Sequence, residues 1–145
     1  MKSVLIATDG SAGAAAAVGA GLELARDGGG TATVVYVREP IGVLGEPFYQ
    51  RKLSEQLAAA DAAFAAARAR AEEAGVAVET EVVEGDAAEA IADLAHTRGV
   101  DIVVVGSRGH GAVSGALLGS VSSAVVRRAD RPVLVVKDAG EPSGA

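Results

Sequence analysis

At 145 residues, half of them apolar, the chain has the length of one domain and enough hydrophobic material for one core without metal or disulfide staples. It contains no cysteine, which excludes disulfide scaffolds, thiolate zinc sites and cysteine nucleophiles together. A net charge of −6 argues against non-specific nucleic-acid binding, whose affinity comes from Lys and Arg releasing phosphate counterions. Aromatics make up only 3% of the chain, so Ala, Val and Gly must supply a tight core of helices packed on a sheet rather than an aromatic-lined pocket.

The opening run Met1-Lys2-Ser3-Val4-Leu5-Ile6-Ala7-Thr8-Asp9 carries one positive charge and stops too early for a signal sequence. No later segment is long enough to span a bilayer, so a cytoplasmic protein without a membrane partner is expected. Ser3–Thr8 reads as a buried strand and Ser11 to Arg26 as a helix that Gly28-Gly29-Gly30 ends. Thr31–Val37 is a second buried strand. Arg38–Tyr49 contains Pro40, Gly42, Gly45 and Pro47 and reads as an irregular connection, with a lid and a plain surface loop both open. Leu53, Leu57, Ala60, Phe64, Ala67 and Ala71 advance by three or four and share one face of a long helix that ends near Gly75. A more alternating strand, Val76–Val83, precedes a helix from Ala87 to Arg98 with Gly99 at its end. Asp101–Gly106 is a fourth strand, buried on both faces, Ser120 to Arg128 a fourth helix, and Pro132–Lys137 a fifth, buried strand. One domain over residues 1–138 and a disordered tail over 139–145 are expected.

This alternation predicts an α/β fold: a doubly wound five-stranded parallel sheet in the flavodoxin-like order 3-2-1-4-5, with helices on both faces. The switch point then lies between the first and fourth strands. Ligands of such sheets bind beyond the carboxyl ends of the strands at that crevice, which directs attention to the residues after Thr8 and after Val105.

After the fourth strand runs Gly106-Ser107-Arg108-Gly109-His110-Gly111-Ala112-Val113-Ser114-Gly115-Ala116-Leu117-Leu118-Gly119-Ser120-Val121-Ser122-Ser123. Glycines let backbone approach a ligand and adopt positive φ, and amides at the start of the following helix favour phosphate. A glycine-rich loop before a helix is a weak signal by itself. It is not a dinucleotide fingerprint, which would follow the first strand, nor a P-loop, because no Lys follows the glycines.

The spacing Gly106, two residues, Gly109, nine residues, Gly119-Ser120 resembles the nucleotide-binding signature of the ATP-binding branch of the universal stress protein family. Val4-Leu5-Ile6-Ala7-Thr8-Asp9-Gly10-Ser11, Glu84-Gly85-Asp86, the run from Val100 to Gly109 and Pro132-Val133-Leu134-Val135-Val136 are similar to it as well. The resemblance implies bound ATP with magnesium or manganese. Asp9 would lie near ribose and metal, beside the backbone of Ala7 and Thr8, and Val37 would meet adenine through its main chain. Gly106, Ser107, Arg108 and Gly109 would lie along ribose and phosphates. Gly119, Ser120, Val121 and Ser122 would hold the phosphates through amides and hydroxyls. A homodimer through the last strand, Pro132 to Lys137, is also implied, and an apolar edge strand needs such a cover.

Plainer readings stand beside these. Asp9 or Ser11 is suited simply to cap the first helix, and the glycines to serve turns and close packing. Arg108 and His110 reach either outer phosphates or solvent, and His96 reads as a surface residue. With no Walker lysine, no arranged carboxylate pair and no evident base, ATP occupancy with at most slow hydrolysis is expected of a nucleotide-dependent stress-response module. A slow ATPase or phosphotransferase using Asp9, Ser120 or His110 is the alternative, and a partner-binding dimer without nucleotide is another.

Overall fold

The structure is a computed structural model and describes residues 1–43, 45–108 and 118–137. Nine elements alternate along the chain: β1 (Ser3–Ala7), α1 (Ala12–Asp27), β2 (Thr31–Arg38), α2 (Phe48–Ala74), β3 (Val78–Glu84), α3 (Ala87–Arg98), β4 (Ile102–Gly106), α4 (Ser120–Arg128) and β5 (Val133–Val136). The five strands form one parallel sheet in the order β3-β2-β1-β4-β5, which is the predicted order.

Alternation along the central strands assigns the two faces. Val4 and Ile6 of β1 pack with Val34 and Val104 against α1 and α2, whereas Leu5, Val103 and Val105 pack against α3 and α4. Both sets are essentially excluded from solvent, with Leu5, Ile6, Val34, Val103 and Val104 each at 0% exposure. Removing an aliphatic side chain of this size from water contributes about 2 kcal/mol, so β1 and β4 anchor the sheet. The helices begin and end on local signals. Ser11 Oγ accepts the Ala14 N–H at 3.2 Å, and an Asp86 carboxylate oxygen accepts the Glu89 N–H at 3.0 Å. Gly75 and Gly99 close α2 and α3 in the left-handed conformation, with φ of 70° and 64°.

Several boundaries differ from the sequence reading. Thr8 lies just past β1, β2 runs on through Arg38, and β3 spans Val78–Glu84 because Val76 is still folded back onto the end of α2, its N–H donating to the Ala71 carbonyl. Helix α2 begins at Phe48, inside the stretch expected to be irregular. Its buried residues are Ala60, Phe64, Ala67 and Ala71, so its first turns bury no apolar stripe that periodicity could register. The shortened connection is tied at its start: Arg38 meets Glu84 at 2.6 Å and Gln56 at 3.4 Å, and Gln56 donates to the Glu39 carbonyl at 3.1 Å. Strand β5 was expected to be buried, but every residue from Val133 to Val136 is only half-buried, because β5 is the edge of the sheet. Residues 138–145, including the expected tail, lie outside the described residues. No helix among the described residues is long and apolar enough to cross a membrane.

Candidate functional site

The sheet opens at its switch point because two ladders stop before their strands do. β1 and β4 pair only as far as Ile6 and Val104, while β4 continues against β5 to the Gly106–Val136 pair. The ends of β1 and β4 therefore separate, leaving a crevice between Ala7-Thr8 and Val105-Gly106. On the other side of β1, the Thr8 N–H donates to the Val35 carbonyl at 3.0 Å, and that ladder ends there. In a parallel strand the N–H and C=O of alternate residues point to the same side, so those of Val37 face the β1 side as Val35 does. The Arg38 carbonyl, pointing the other way, accepts the Gly85 N–H at 3.1 Å. Among the described residues no backbone group pairs with this edge of Val37. Val37 thus offers one backbone donor and one acceptor side by side at the rim of the crevice.

The crevice widens into a cavity of about 250 Å³. Ala7, Thr8 and Asp9 come from the end of β1, Val35 and Val37 from β2, and Val105, Gly106, Ser107 and Arg108 from β4 and its exit. Leu118, Gly119, Ser120, Val121 and Ser122 enter from the start of α4. Every residue singled out from the sequence therefore meets at one cavity, except Gly109, which with His110 lies outside the described residues. Six lining residues were not assigned to the site from the sequence: Ala14 on α1, Val35 on β2, Ala87 and Ile91 on the first turns of α3, Val105 on β4, and Leu118 just before α4. For Ala87 and Ile91 the sequence signal is the Glu84-Gly85-Asp86 stretch, whose Asp86 caps α3 and aims its start at the strand ends.

The polar end of the cavity is the N-terminus of α4. Gly119 is its N-cap, and the Ser123 N–H takes the Gly119 carbonyl at 3.0 Å, so the amides of Ser120, Val121 and Ser122 are the first-turn donors without an intrahelical acceptor. The helix dipole favours an anion there. The Ser122 hydroxyl has another use. It is 3% exposed and lies 3.1 Å from both the Ser107 and Gly119 carbonyls, so its single proton ties the loop to the helix and its contribution to a ligand is its amide. Gly106 and Gly119 follow the plainer reading, close packing, and not the expected positive φ; the left-handed glycines among the described residues are Gly10, Gly29, Gly75, Gly85 and Gly99. Space is the reason instead: a Cβ on Gly106 would lie 2.8 Å from the Gly13 carbonyl oxygen, and one on Gly119 would lie 3.1 Å from the Ser107 carbonyl oxygen.

Asp9 sits where β1 ends. Its Oδ1 accepts the Ser11 N–H at 2.9 Å, and Thr8 Oγ1 accepts the Gly10 N–H at 3.1 Å, which bends the chain toward α1. Capping of α1 is the work of Ser11, so Asp9 shapes the turn and lines the cavity. Burial, and then the Asp9 charge, push the Tyr36 hydroxyl above its ordinary range. Among the described residues no group of three or more His, Asp or Glu side chains gathers to hold a metal. Asp9 is the one carboxylate among the described residues that line the cavity.

A second cavity, about 330 Å³, lies between α1 and α2 and shares Thr8 and Asp9 with the first. Its other walls are mainly methyl groups, including Ala15, Ala59, Ala62, Ala63, Ala66 and Ala67, with Arg70 reaching over from α2 to donate to the Ala15 carbonyl. His96 is on the surface, as expected, with Nδ1 2.8 Å from an Asp130 carboxylate oxygen.

The model of the universal stress protein family matches residues 1–137. A universal stress protein of Thermus aquaticus is 38% identical over 138 residues, covering 94% of this chain and 98% of that protein. Among solved structures, the universal stress protein UspA from Lactobacillus plantarum aligns with a TM-score of 0.79 at 27% identity, over 93% of this chain and 97% of its own. A universal stress protein in complex with cAMP aligns with a TM-score of 0.75 at 28% identity, over 93% and 96%.

Proposed function

The chain belongs to the universal stress protein family, and from that premise we propose that it binds ATP in the switch-point cavity and acts as a nucleotide-dependent regulatory module of a cytoplasmic stress response. The carrying observation is the pairing of unlike ends within one cavity: an open backbone donor and acceptor at Val37, and three first-turn amides at Ser120, Val121 and Ser122. Adenine carries a donor and an acceptor on adjacent positions of one edge and pairs with Val37 as a strand would. The phosphates then reach the α4 amides and the Ser120 hydroxyl, with the ribose passing Gly106. Magnesium or manganese, held by Asp9 and the phosphates, supplies charge neutralisation when bound. The relative in complex with cAMP supports an adenine nucleotide as the ligand class.

Occupancy rather than turnover is the proposed mode of action. Arg108 is the one cation among the described cavity walls and no lysine stands there, whereas fast phosphoryl transfer needs cationic stabilisation together with a positioned nucleophile. ATP then works by favouring one conformation or assembly, to the extent that it binds the two with different affinity. The assembly proposed is a homodimer through β5, whose Val133–Val136 run lies half-buried at the sheet edge and whose exposed backbone groups a second copy would satisfy. Sedimentation of Val135→Lys tests it, and an unchanged dimer mass would reject this interface.

The test of the nucleotide reading is to heat-denature freshly purified protein, identify any released nucleotide by anion exchange, and follow the melting of the emptied protein against Mg-ATP. A ligand at a hundredfold over Kd stabilises by about 2.7 kcal/mol, a visible shift at this size. Release of ATP or a rise in Tm, with loss of both in Gly119→Val, supports the reading; neither in the parent rejects it. Phosphate release above that of the same variant would favour the slow ATPase instead.

A further inference from the structure

Helix α1 carries three glycines, Gly13, Gly19 and Gly21, although Gly is among the poorest helix formers. They meet different neighbours. A Cβ on Gly19 or Gly21 would press on the ends of side chains, Arg70 and Ile6 respectively. A Cβ on Gly13 would stand 2.3 Å from the Arg108 carbonyl oxygen and 3.3 Å from its carbonyl carbon, and one on Gly106 would stand 2.8 Å from the Gly13 carbonyl oxygen. The first turn of α1 and the exit of β4 are therefore in contact backbone to backbone, and neither side has a rotamer with which to step aside.

From this joint the contact continues to the phosphate end of the cavity. The Ser107 carbonyl, next to Arg108, accepts the Gly119 N–H at 2.7 Å and lies 3.1 Å from Ser122 Oγ. Those two residues begin α4. We propose that Gly13, which does not line the cavity, is a positioning residue for its phosphate end. Its bare backbone lets Ser107-Arg108 seat against α1, and that seat sets where the first amides of α4 stand. The inference rests on the nucleotide reading above and adds to it a residue on the opposite side of the chain reversal from the glycine signature.

The experiment compares Gly13→Ala with Gly21→Ala by calorimetric titration with Mg-ATP and, separately, with adenosine, which lacks the phosphates. Gly13→Ala is expected to lose ATP affinity by about tenfold or more while its adenosine affinity stays within about twofold of the parent. Gly21→Ala, crowded against Ile6 within the core, is expected to lower Tm while keeping the parent's ATP-to-adenosine ratio. In the same samples, amide exchange at Gly119 is expected to accelerate in Gly13→Ala alone. A folded Gly13→Ala whose ratio and Gly119 protection both match the parent overturns the proposal, as does an equal loss for both ligands. If Gly13→Ala fails to fold, Gly106→Ala presses the same joint from the other side and is read by exchange at Gly119, where protection equal to the parent overturns the proposal. A parent that binds neither ligand rejects the nucleotide reading, and the exchange at Gly119 then decides by itself whether Gly13 positions this segment.

Discussion

The switch-point cavity and the groove between α1 and α2 share Thr8 and Asp9 as a common wall, yet they are made of different material. The groove is the larger, about 330 Å³ against about 250 Å³, but beyond the turn from Thr8 to Ser11 and the Arg70 side chain its sides are mainly apolar side chains, chiefly alanine methyls, from within α1 and α2. The smaller cavity is bounded by places where regular structure stops: the end of β1, the open edge of Val37, the exit of β4 and the first turn of α4. Termini of strands and helices are where backbone donors and acceptors remain unused. The difference teaches that recognition here depends on interrupted ladders rather than on volume.

The most severe way to break that contrast is to close the switch-point cavity from its backbone side. Gly106→Val drives side-chain atoms into the Gly13 carbonyl, which a Cβ would already approach to 2.8 Å. It should lower ATP affinity by about a hundredfold or more, near 2.7 kcal/mol, in a calorimetric titration. Asp9→Asn is milder because the amide oxygen keeps the Ser11 N–H bond while the charge goes. Titrations with and without magnesium should show about a tenfold loss confined to the magnesium condition. Filling the groove should do little: Ala63→Leu is expected to leave ATP affinity within about twofold and to change stability by less than about 1 kcal/mol. A tenfold loss of ATP affinity in that variant would mean that the two cavities act as one.

The smallest expected effect lies far from both. The bond from His96, followed by the charge of Arg131, holds the Asp130 carboxyl below its ordinary value of 3.8. Because the folded state prefers the ionised form, its contribution is present above that value and is lost as pH falls below it. Melting curves between about pH 2 and 5 should therefore lose a little of their acid slope in Asp130→Asn, with ATP affinity at neutral pH unchanged.

The layout of the sheet was readable in the sequence because β1, β2 and β4 are buried on both faces and so appear as unbroken apolar runs. Helix α2 was readable only where it buries Ala60, Phe64, Ala67 and Ala71. Its first turns are held by local bonds and by contacts such as Arg51 over the Phe48 ring at 5.7 Å, which leave no periodic trace. The crevice was legible from the strand-end rule, whereas the individual residues, Val37 and Ser120 to Ser122 among them, came from the family resemblance that the glycine spacing carries. The wall from Ala87 and Ile91 was not, since alanine and isoleucine at helical spacing look like any other core stripe. Nor was Gly13, because the Arg108 backbone that it meets is separated from it by roughly two thirds of the chain, and a carbonyl can belong to any residue type.

β1 ends up in the middle of the sheet although it is the first strand to be made, and its neighbour β4 is nearly the last. Throughout synthesis of the first three strands and three helices, one edge of β1 waits with its hydrogen-bonding groups exposed. The cavity walls are divided in the same way, residues 7–37 on the early part and 87–122 largely on the late one. A molecule held between them engages only a chain into which β4 has already been inserted. A ligand bound there would therefore stabilise the sheet only with β4 in place.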